Sequence, residues 1–152
     1  MPAPRDLAVS SPDLAEGHAI ADAFSAYGEN RTPTITVTGV PDGTAELALI
    51  MHDPDAPMPH GFTHWLRYGI AAHATDLSAA AARAGRNDAG TTEYFGPKPP
   101  PGHGTHHYYF WVYALDTKVE GEPGREEFLA RYGDHVLEMN RLIGTYSRPA
   151  RA

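Results

Sequence analysis

The sequence predicts a mostly β fold of antiparallel strands with a few short peripheral helices, and three observations support this class. Several runs of branched and aromatic residues have the length and period of strands. Helical spacing is clear in one segment near the C-terminus, and strands and helices do not alternate as in a parallel sheet. With 152 residues and 41% hydrophobic content, the chain suits a single domain. We expect that domain to span residues 1–152, with residues 1–10 and 149–152 loosely ordered.

The first strands surround a turn. Residues 34–38 alternate threonine with isoleucine and valine, which is the period of a half-buried strand. Residues 41–43 (Pro-Asp-Gly) favour a turn. Residues 46–51 form a nearly continuous apolar run, typical of a central strand buried on both faces. The first polar cluster, which begins near Asp53, therefore lies at the C-terminal end of that strand.

The next two strand candidates begin at His64 and His106 and extend to residues 70 and 115. If both run antiparallel to the strand that ends near Asp53, all three polar side chains lie at the same rim of the sheet. Tyr108 shares a face with His106, because side chains alternate with a period of two along a strand. This convergence is the central structural prediction.

The rest of the chain supplies peripheral elements. Residues 78–84 are rich in alanine and are consistent with either a helical turn or a surface excursion. Residues 124–132 have helical spacing of apolar side chains and acidic residues in the first turn, where the helix dipole favours them. A last strand, from about residue 141 to 147, is expected to close the sheet. The proline run at 97–101 lies inside the domain and is interpreted as a rigid loop.

Charge and composition exclude several classes of function. A net charge of -7, with 12 Lys and Arg spread over the chain, argues against nucleic-acid binding and against anionic lipid surfaces. The absence of cysteine excludes disulfides and thiolate zinc sites. No segment approaches the length needed to cross a bilayer, so we expect no integral membrane association. Residues 1–17 lack the features of a signal peptide, and we therefore expect a cytoplasmic location.

The polar residues of the predicted rim suit a small anion. Two imidazoles, a tyrosine hydroxyl and loop N–H groups can donate hydrogen bonds to an anion without any Lys or Arg. Asp53 can accept a hydrogen bond from one imidazole, which fixes its tautomer and favours its protonated form, so that the opposite ring nitrogen points at the anion. On this basis we expect phosphate to bind more tightly at pH 6 than at pH 8.

Simpler structural roles are available to the same residues. Asp53 and Asp55 lie in a proline-rich turn, where aspartates commonly cap backbone N–H groups. His64 has the alternative of a core histidine that is satisfied by backbone groups. His107 is expected to face away from the rim, because it follows His106 on the same strand. His103, in a glycine-flanked loop, is expected to be exposed and to have no role.

Two other classes of function are also open on the residues alone. An aspartate, a histidine pair and a tyrosine are suited to acid–base hydrolysis of a phospho or acyl compound, although no serine or cysteine has a nucleophile motif. A zinc or iron protein would use His52, Asp53, His64 and His106 as ligands. His52 and Asp53 are adjacent in a strand, however, and point to opposite faces. We therefore expect neither a cofactor nor a metal.

Six segments, taken in order over about residues 11–148, make the chain resemble the phosphatidylethanolamine-binding protein family. These proteins are also called Raf kinase inhibitor-like proteins, and the resemblance is to their compact bacterial and archaeal branch. The matching segments are Gly28-Glu29-Asn30, 53–57, His64-Trp65, 86–88, 96–101 with 106–110, and 135–137 followed by 142–146. The chain departs from the usual pattern at residues 31–33, and at Gly69, where an asparagine is frequent.

This resemblance implies a large antiparallel sheet packed against a smaller one, with a shallow anion pocket at one rim. It also implies a cis peptide bond between Ala56 and Pro57. The residues that correspond to the polar lining are Asp53, His64, His106 and Tyr108, those that correspond to its walls are Pro57, Gly96 and Pro100, and Asp55 is a further candidate.

The function that the resemblance implies is non-enzymatic binding of a small anion, such as phosphate, a phosphoryl head group or a small carboxylate. Relatives inhibit kinases or proteases through surfaces around the same rim, so a regulatory inhibitor of a kinase or protease is the alternative. The expected partners are accordingly a small anion or phosphorylated ligand, or such an enzyme. Compact relatives are often dimers, which makes a homodimer a further expectation.

Overall fold

The computed structural model of the chain describes residues 6–149. Within this part of the chain the strands are β1 (Ala8–Ser10), β2 (Thr36–Thr38), β3 (Glu46–Asp53), β4 (Phe62–Ile70), β5 (Arg83–Ala84), β6 (His106–Leu115) and β7 (Val136–Tyr146). The α-helix α1 spans Arg125–Tyr132, and short 3-10 turns span Asp22–Phe24 and Gly133–His135. Strands β5, β4, β3, β6 and β7, in that spatial order, form an antiparallel sheet, and β1 pairs with β2 in a second sheet.

The predicted class of mostly antiparallel β structure is confirmed, and most elements lie near their expected places. Strand β3 continues past its predicted end and includes Asp53, and β7 begins at Val136 rather than near residue 141. The alanine-rich residues 78–84 contain no helix and end in the edge strand β5. Helix propensity was overridden there, because β5 pairs with β4.

The expectation that residues 1–10 are loosely ordered is wrong for residues 8–10. Ala8 pairs with Thr38 and Ser10 with Thr36. Leu7 is 2% exposed and joins the hydrophobic core. Its burial helps to offset the conformational entropy that ordering this segment costs. Residues 1–5 and 150–152 lie outside the described residues.

Strand β3 is buried along its whole length and separates two hydrophobic cores. The first core lies between the main sheet and the β1–β2 sheet, and the second lies against α1. The first receives Leu47, Leu49 and Met51, and the second receives Ala48 and Ile50. Each fully buried leucine or isoleucine contributes about 1.5–3 kcal/mol. The same alternation directs Asp53 toward the first-core side and His52 toward the other side.

A β-bulge in β4 determines the direction of His64. Met51 pairs with Trp65 and His52 pairs with Thr63, so His64 is an extra residue with no partner of its own on β3. In a regular strand His64 would face away from Trp65. The extra residue breaks the alternation, and His64 projects to the same side of the sheet as Trp65.

A second irregularity of the β3–β4 pairing lies at Gly69, which has a φ of +76°. The Gly69 N–H donates to Oε2 of the buried Glu46 at 2.8 Å. Glycine adopts this left-handed conformation without strain, and asparagine is among the few other residues that tolerate it. Glycine is therefore suited to the backbone conformation of this position, at which the resemblance implies that an asparagine is frequent.

The expected cis peptide bond between Ala56 and Pro57 is wrong. The peptide bonds within residues 6–149 are all trans. The Met58 N–H donates to the Ala56 carbonyl at 2.8 Å and closes a tight turn around Pro57. The turn is therefore made with the trans bond, which is also the less costly form for a residue before proline.

Candidate functional site

The predicted convergence of polar residues at the end of β3 is confirmed. Strands β4 and β6 flank β3 and both run antiparallel to it, so their first residues lie beside its last ones. A cavity of about 430 Å³ opens at this rim, and its volume is typical of a small-molecule pocket. The predicted site residues that line it are Asp53, Pro57, His64, Pro100, His106 and Tyr108.

A buried aspartate–histidine pair forms part of the cavity floor. Oδ2 of Asp53 lies 2.6 Å from Nδ1 of His106, and the two side chains are 3% and 4% exposed. Oδ1 of Asp53 accepts the Asp55 N–H at 2.8 Å. Burial raises the pKa of Asp53, and its hydrogen bonds to His106 and Asp55 act in the opposite direction. A carboxylate only accepts hydrogen bonds, so Nδ1 of His106 carries a hydrogen and donates it.

The other ring nitrogen of His106 is already occupied. Its Nε2 lies 2.7 Å from Nδ1 of His103. In neutral His106 the Nε2 atom accepts, so His103 Nδ1–H is the donor and the three side chains form the chain Asp53–His106–His103. His103 is exposed, as expected, and its ring contacts His106 through this hydrogen bond. It lies between Gly102 and Gly104, which both have positive φ and allow the loop to turn back over His106.

His64 makes a different hydrogen bond. Its Nδ1 lies 2.6 Å from the carbonyl oxygen of Phe95, and the Phe95 ring stacks on the imidazole at 5.5 Å between centroids. A carbonyl accepts, so Nδ1–H donates. Burial lowers the pKa of His64 to about 4, so the ring is neutral near pH 7 and its Nε2 is a hydrogen-bond acceptor. The expectation of two imidazoles that both donate to an anion is therefore not met by His64.

Tyr108 completes the polar part of the cavity. Its side chain is 1% exposed and contacts both imidazoles, edge-on to His64 at 5.3 Å and stacked with His106 at 6.4 Å between ring centroids. Burial, assisted by the charge of Asp53, raises the pKa of its phenol. The hydroxyl is therefore neutral at physiological pH and can donate to a ligand.

The remaining predicted residues lie just outside the lining. Gly96 is buried behind the wall, where its N–H donates to Oδ1 of Asn30 at 2.6 Å. A Cβ atom there would lie 2.2 Å from the Phe24 carbonyl oxygen, so this position requires glycine. Asp55 accepts hydrogen bonds from the N–H and from Nδ1 of His107, both at 2.7 Å, on the exposed side of β6.

A sequence profile described as "Phosphatidylethanolamine-binding protein" matches residues 10–147. The chain belongs to the phosphatidylethanolamine-binding protein family. A UPF0098 protein of Methanothermobacter thermautotrophicus is 41% identical over 140 residues, which cover 85% of this chain and 91% of that protein. LppC of Mycobacterium tuberculosis, whose name carries the word lipoprotein, is 40% identical over 151 residues, 95% of this chain and 74% of that protein.

Two solved structures of the phosphatidylethanolamine-binding protein family have the same fold. The homologue CT736 of Chlamydia trachomatis has a TM-score of 0.85 at 28% identity and covers 95% of this chain and 99% of its own. Escherichia coli YbcL, described as a new member of the mammalian family, has a TM-score of 0.83 at 28% identity, with 93% and 98% of the two chains covered. The predicted family and fold class are therefore confirmed.

In this member of the phosphatidylethanolamine-binding protein family, the sequence identified the polar floor of the cavity but not the residues that set its hydrogen bonding. His103 and the Phe95 carbonyl contact the two histidines, and exposed Met58 and Lys98 lie at the cavity wall. The glycines on either side of His103, three residues before His106, were a usable signal for a folded-back loop. A backbone carbonyl leaves no such signal.

Other features of the described chain bear on the remaining classes of function. Across residues 6–149, no group of three or more His, Asp or Glu side chains is arranged to hold a metal ion. His52 lies on the opposite side of β3 from Asp53, where its Nδ1 contacts Oγ1 of Thr63 at 3.0 Å. None of the helices in the same part of the chain has the length and apolar character that crossing a membrane requires.

Proposed function

We propose that this protein is a non-enzymatic binding module for a small anion that carries a phosphate or phosphoryl group. The observation that carries the proposal is the buried Asp53–His106 pair beside the Tyr108 hydroxyl, at the floor of a cavity of about 430 Å³. A few convergent polar groups within a largely apolar pocket are typical of a small-molecule site. Membership of the phosphatidylethanolamine-binding protein family supports the same class of ligand.

The proposed complex requires a change at His103. When His103 leaves, Nε2 of His106 is free, and protonation of this atom turns it into a donor directed at the cavity. Asp53, bonded to Nδ1, stabilises the imidazolium that forms. The anion then accepts hydrogen bonds from His106 Nε2–H and from the Tyr108 hydroxyl. Because His106 gains a proton, the binding should be tighter at pH 6 than at pH 8.

A hydrolase is the less favoured alternative. The cavity lining contains no serine, threonine or cysteine. Tyr108 is the hydroxyl-bearing residue of the lining, and its raised pKa makes it a poor nucleophile. Steady turnover of a phosphoester by the purified protein, abolished in His106→Ala, would contradict the non-enzymatic proposal.

A regulatory role through the cavity mouth is the second candidate function, and it has one specific observation in its favour. Met58 is 45% exposed beside the cavity, and Lys98 at the same wall is also exposed. An exposed methionine and a cation next to an anion pocket suit a phosphorylated side chain of a partner protein. An inhibitor of a kinase or a protease would use this surface, and an uncharged Met58→Ala variant should then lose more in inhibition than in phosphate binding.

The experiment that tests the main proposal is a titration with phosphate and phosphoethanolamine, followed by NMR of the histidine rings at pH 6. We expect saturable shifts of the His64 and His106 signals. The His64 shift should be lost in His106→Ala, and both shifts should be lost in Asp53→Ala. The matched control is His107→Ala, which removes the neighbouring exposed imidazole and should keep the binding. A folded protein that binds neither ligand would overturn the proposal and leave the partner surface as the leading function.

A cytoplasmic location belongs to the same proposal. The absence of cysteine is compatible with a reducing compartment. Cell fractionation with an antibody against the native protein tests the location, and recovery with the membrane fraction, as the name of the relative LppC suggests for that protein, would contradict it.

A further inference from the structure

The cavity floor has few hydrogen-bond donors that are free to bind a ligand. Both oxygens of Asp53 are used as acceptors, by His106 Nδ1–H and the Asp55 N–H. Nε2 of His106 accepts from His103. Nδ1–H of His64 is donated to the Phe95 carbonyl, which leaves its Nε2 as an acceptor. In the free protein, the hydrogen-bonding positions that the floor leaves for a ligand are therefore one hydroxyl, on Tyr108, and one nitrogen lone pair, on His64, while the exposed Lys98 lies at the wall.

The lone pair on His64 is fixed by its surroundings. The side chain is buried, and its neighbours are the rings of Phe62, Phe95 and Tyr108. None of these rings carries a negative charge that could form an ion pair with a protonated His64. Burial lowers the pKa of His64 to about 4. Among the described residues, no carboxylate hydrogen-bonds to this ring. The titratable and charged groups of the neighbouring elements are His52, Asp53, Asp88, Lys98, His106 and Tyr108.

We infer that the site selects oxyanions that carry an acidic proton of their own, such as the monoanion of a phosphomonoester, over oxyanions that have none, such as a sulfate ester. This inference rests on the proposed function. A phosphomonoester monoanion donates its P–O–H to Nε2 of His64 and accepts from the other donors of the site. A sulfate ester of the same charge has only oxygen lone pairs, so one of them faces the lone pair of His64 and a buried acceptor is left without a donor.

The size of the cavity favours an ester over a bare phosphate ion. A water molecule occupies about 30 Å³ of liquid, so about 430 Å³ is more than ten times that volume. The walls are largely apolar and include Pro57, Phe62, Phe95 and Pro100. The ester group of the ligand would pack against these walls while the phosphoryl group contacts the polar floor.

A charge-matched pair of probes tests the inference directly. Methyl phosphate and methyl sulfate are both predominantly monoanions at pH 5.5, have nearly the same shape, and differ in the acidic proton. We expect methyl phosphate to bind about 10- to 100-fold more tightly, because an unpaired buried acceptor causes a loss of that size. Equal affinities would overturn the inference and leave the proposed anion site intact, whereas failure of both probes to bind would overturn both.

The protonation state of His64 is a second readout that needs no variant. We expect the ¹⁵N signal of His64 Nε2 in the free protein to be that of an unprotonated nitrogen, and to shift on addition of methyl phosphate in the direction of a nitrogen that accepts a hydrogen bond. A signal that shows a proton on Nε2 in the free protein would overturn the inference whatever the affinities are.

A variant then assigns the selectivity to His64. His64→Phe keeps a ring in the same place and removes the acceptor, so the ratio of the two affinities should fall toward one through weaker binding of methyl phosphate. The matched control is His52→Phe, which replaces a histidine of similar burial on the other side of β3 and should leave the ratio unchanged. An unchanged ratio in His64→Phe would show that another group selects the proton.

Discussion

Two aspartate–histidine pairs lie next to each other at the rim, and burial is the main difference between them. Asp53 and His106 are 2.6 Å apart, with side chains 3% and 4% exposed. Asp55 and His107 are 2.7 Å apart, with side chains 40% and 49% exposed. His106 and His107 are consecutive residues of β6, so their side chains face opposite sides of the sheet. The chain thus contains a natural control for its own candidate site.

The environment gives the two aspartates opposite electrostatic properties. Burial dominates at Asp53 and raises its pKa. At Asp55 burial also acts to raise the pKa, but the two hydrogen bonds from His107 outweigh it and the pKa is lowered. The Asp53–His106 pair, whose burial is unfavourable for the charged carboxylate, is the one that faces the cavity. Ionisable groups with shifted pKa values are commonly found at functional sites. The exposed pair has the properties of an ordinary surface ion pair.

The largest expected effect extends this contrast to acid stability. Burial lowers the pKa of His64 and of His52 to about 4, so above pH 6.5 both are neutral in the folded and unfolded chains. As pH falls from 6.5 to 4 the unfolded chain takes up protons that the folded chain does not. Each residue should therefore destabilise the fold by about 3 kcal/mol at pH 4 relative to pH 7.

Urea unfolding at pH 7 and pH 4 measures this effect. His64→Phe should reduce the loss of stability between the two pH values by about 3 kcal/mol. The control His73→Gln, in an exposed loop position, should retain the loss seen in the unmodified chain. If the two variants lose stability equally on acidification, the buried His64 does not remain neutral.

The next effect compares the two ion pairs themselves. A double-mutant cycle with Asp53→Ala and His106→Ala should give a coupling energy of about 1.5–3 kcal/mol, because the bond is buried and charge-assisted. The corresponding cycle with Asp55→Ala and His107→Ala should give less than about 1 kcal/mol. The two cycles share the unmodified chain, so urea unfolding of seven proteins at pH 7 provides the free energies. Equal couplings would mean that burial does not distinguish the pairs.

A smaller effect is the opposite dependence of the two aspartates on pH. The pKa of Asp53 is raised, so the folded chain binds this proton at higher pH and its stability increases as pH falls through that value. The pKa of Asp55 is lowered, so the stability it contributes is present above pH 3.8 and is lost as pH falls through the lowered pKa. Compared with the unmodified chain between pH 7 and pH 3, Asp53→Asn and Asp55→Asn should therefore change the slope in opposite directions. The change for Asp55 should be smaller because solvent screens it.

The smallest expected effect concerns His103, which contacts the buried Asp53–His106 pair and not the exposed Asp55–His107 pair. Its hydrogen bond to His106 competes with an incoming anion, and a typical hydrogen bond contributes about 0.5–1.5 kcal/mol. His103→Ala should therefore bind phosphate about 2- to 10-fold more tightly at pH 7, as measured by NMR titration. His60→Ala, which removes another exposed loop histidine, is the control and should leave the affinity unchanged. Weaker binding in His103→Ala would identify His103 as a direct contact of the anion instead.

Much of the fold and of the site was predictable because it follows from short-range patterns. The apolar run of β3, with a histidine near the start of β4 and another at the start of β6, was sufficient to predict the sheet and the meeting of Asp53, His64 and His106. Antiparallel pairing places the first residues of β4 and β6 beside the last residues of β3. This proximity can therefore be predicted without knowing how the side chains pack.

The hydrogen-bond roles of these residues were less predictable. Whether His64 donates to an anion or accepts from one depends on the Phe95 carbonyl, 31 residues away in the chain. Whether His106 is free depends on a loop that folds back between two glycines. The trans bond before Pro57 likewise depends on the turn that the surrounding chain imposes.

By itself the sequence determined the family, the antiparallel sheet and the polar residues of the rim, because these depend on the order and period of residue types along the chain. Only the tertiary structure decided which ring nitrogens carry hydrogens, which of two similar ion pairs is buried, and which way His64 points from its β-bulge. These properties depend on atoms brought together from distant parts of the chain, and a hydrogen bond or a pKa responds to the atoms in contact rather than to the neighbours in sequence.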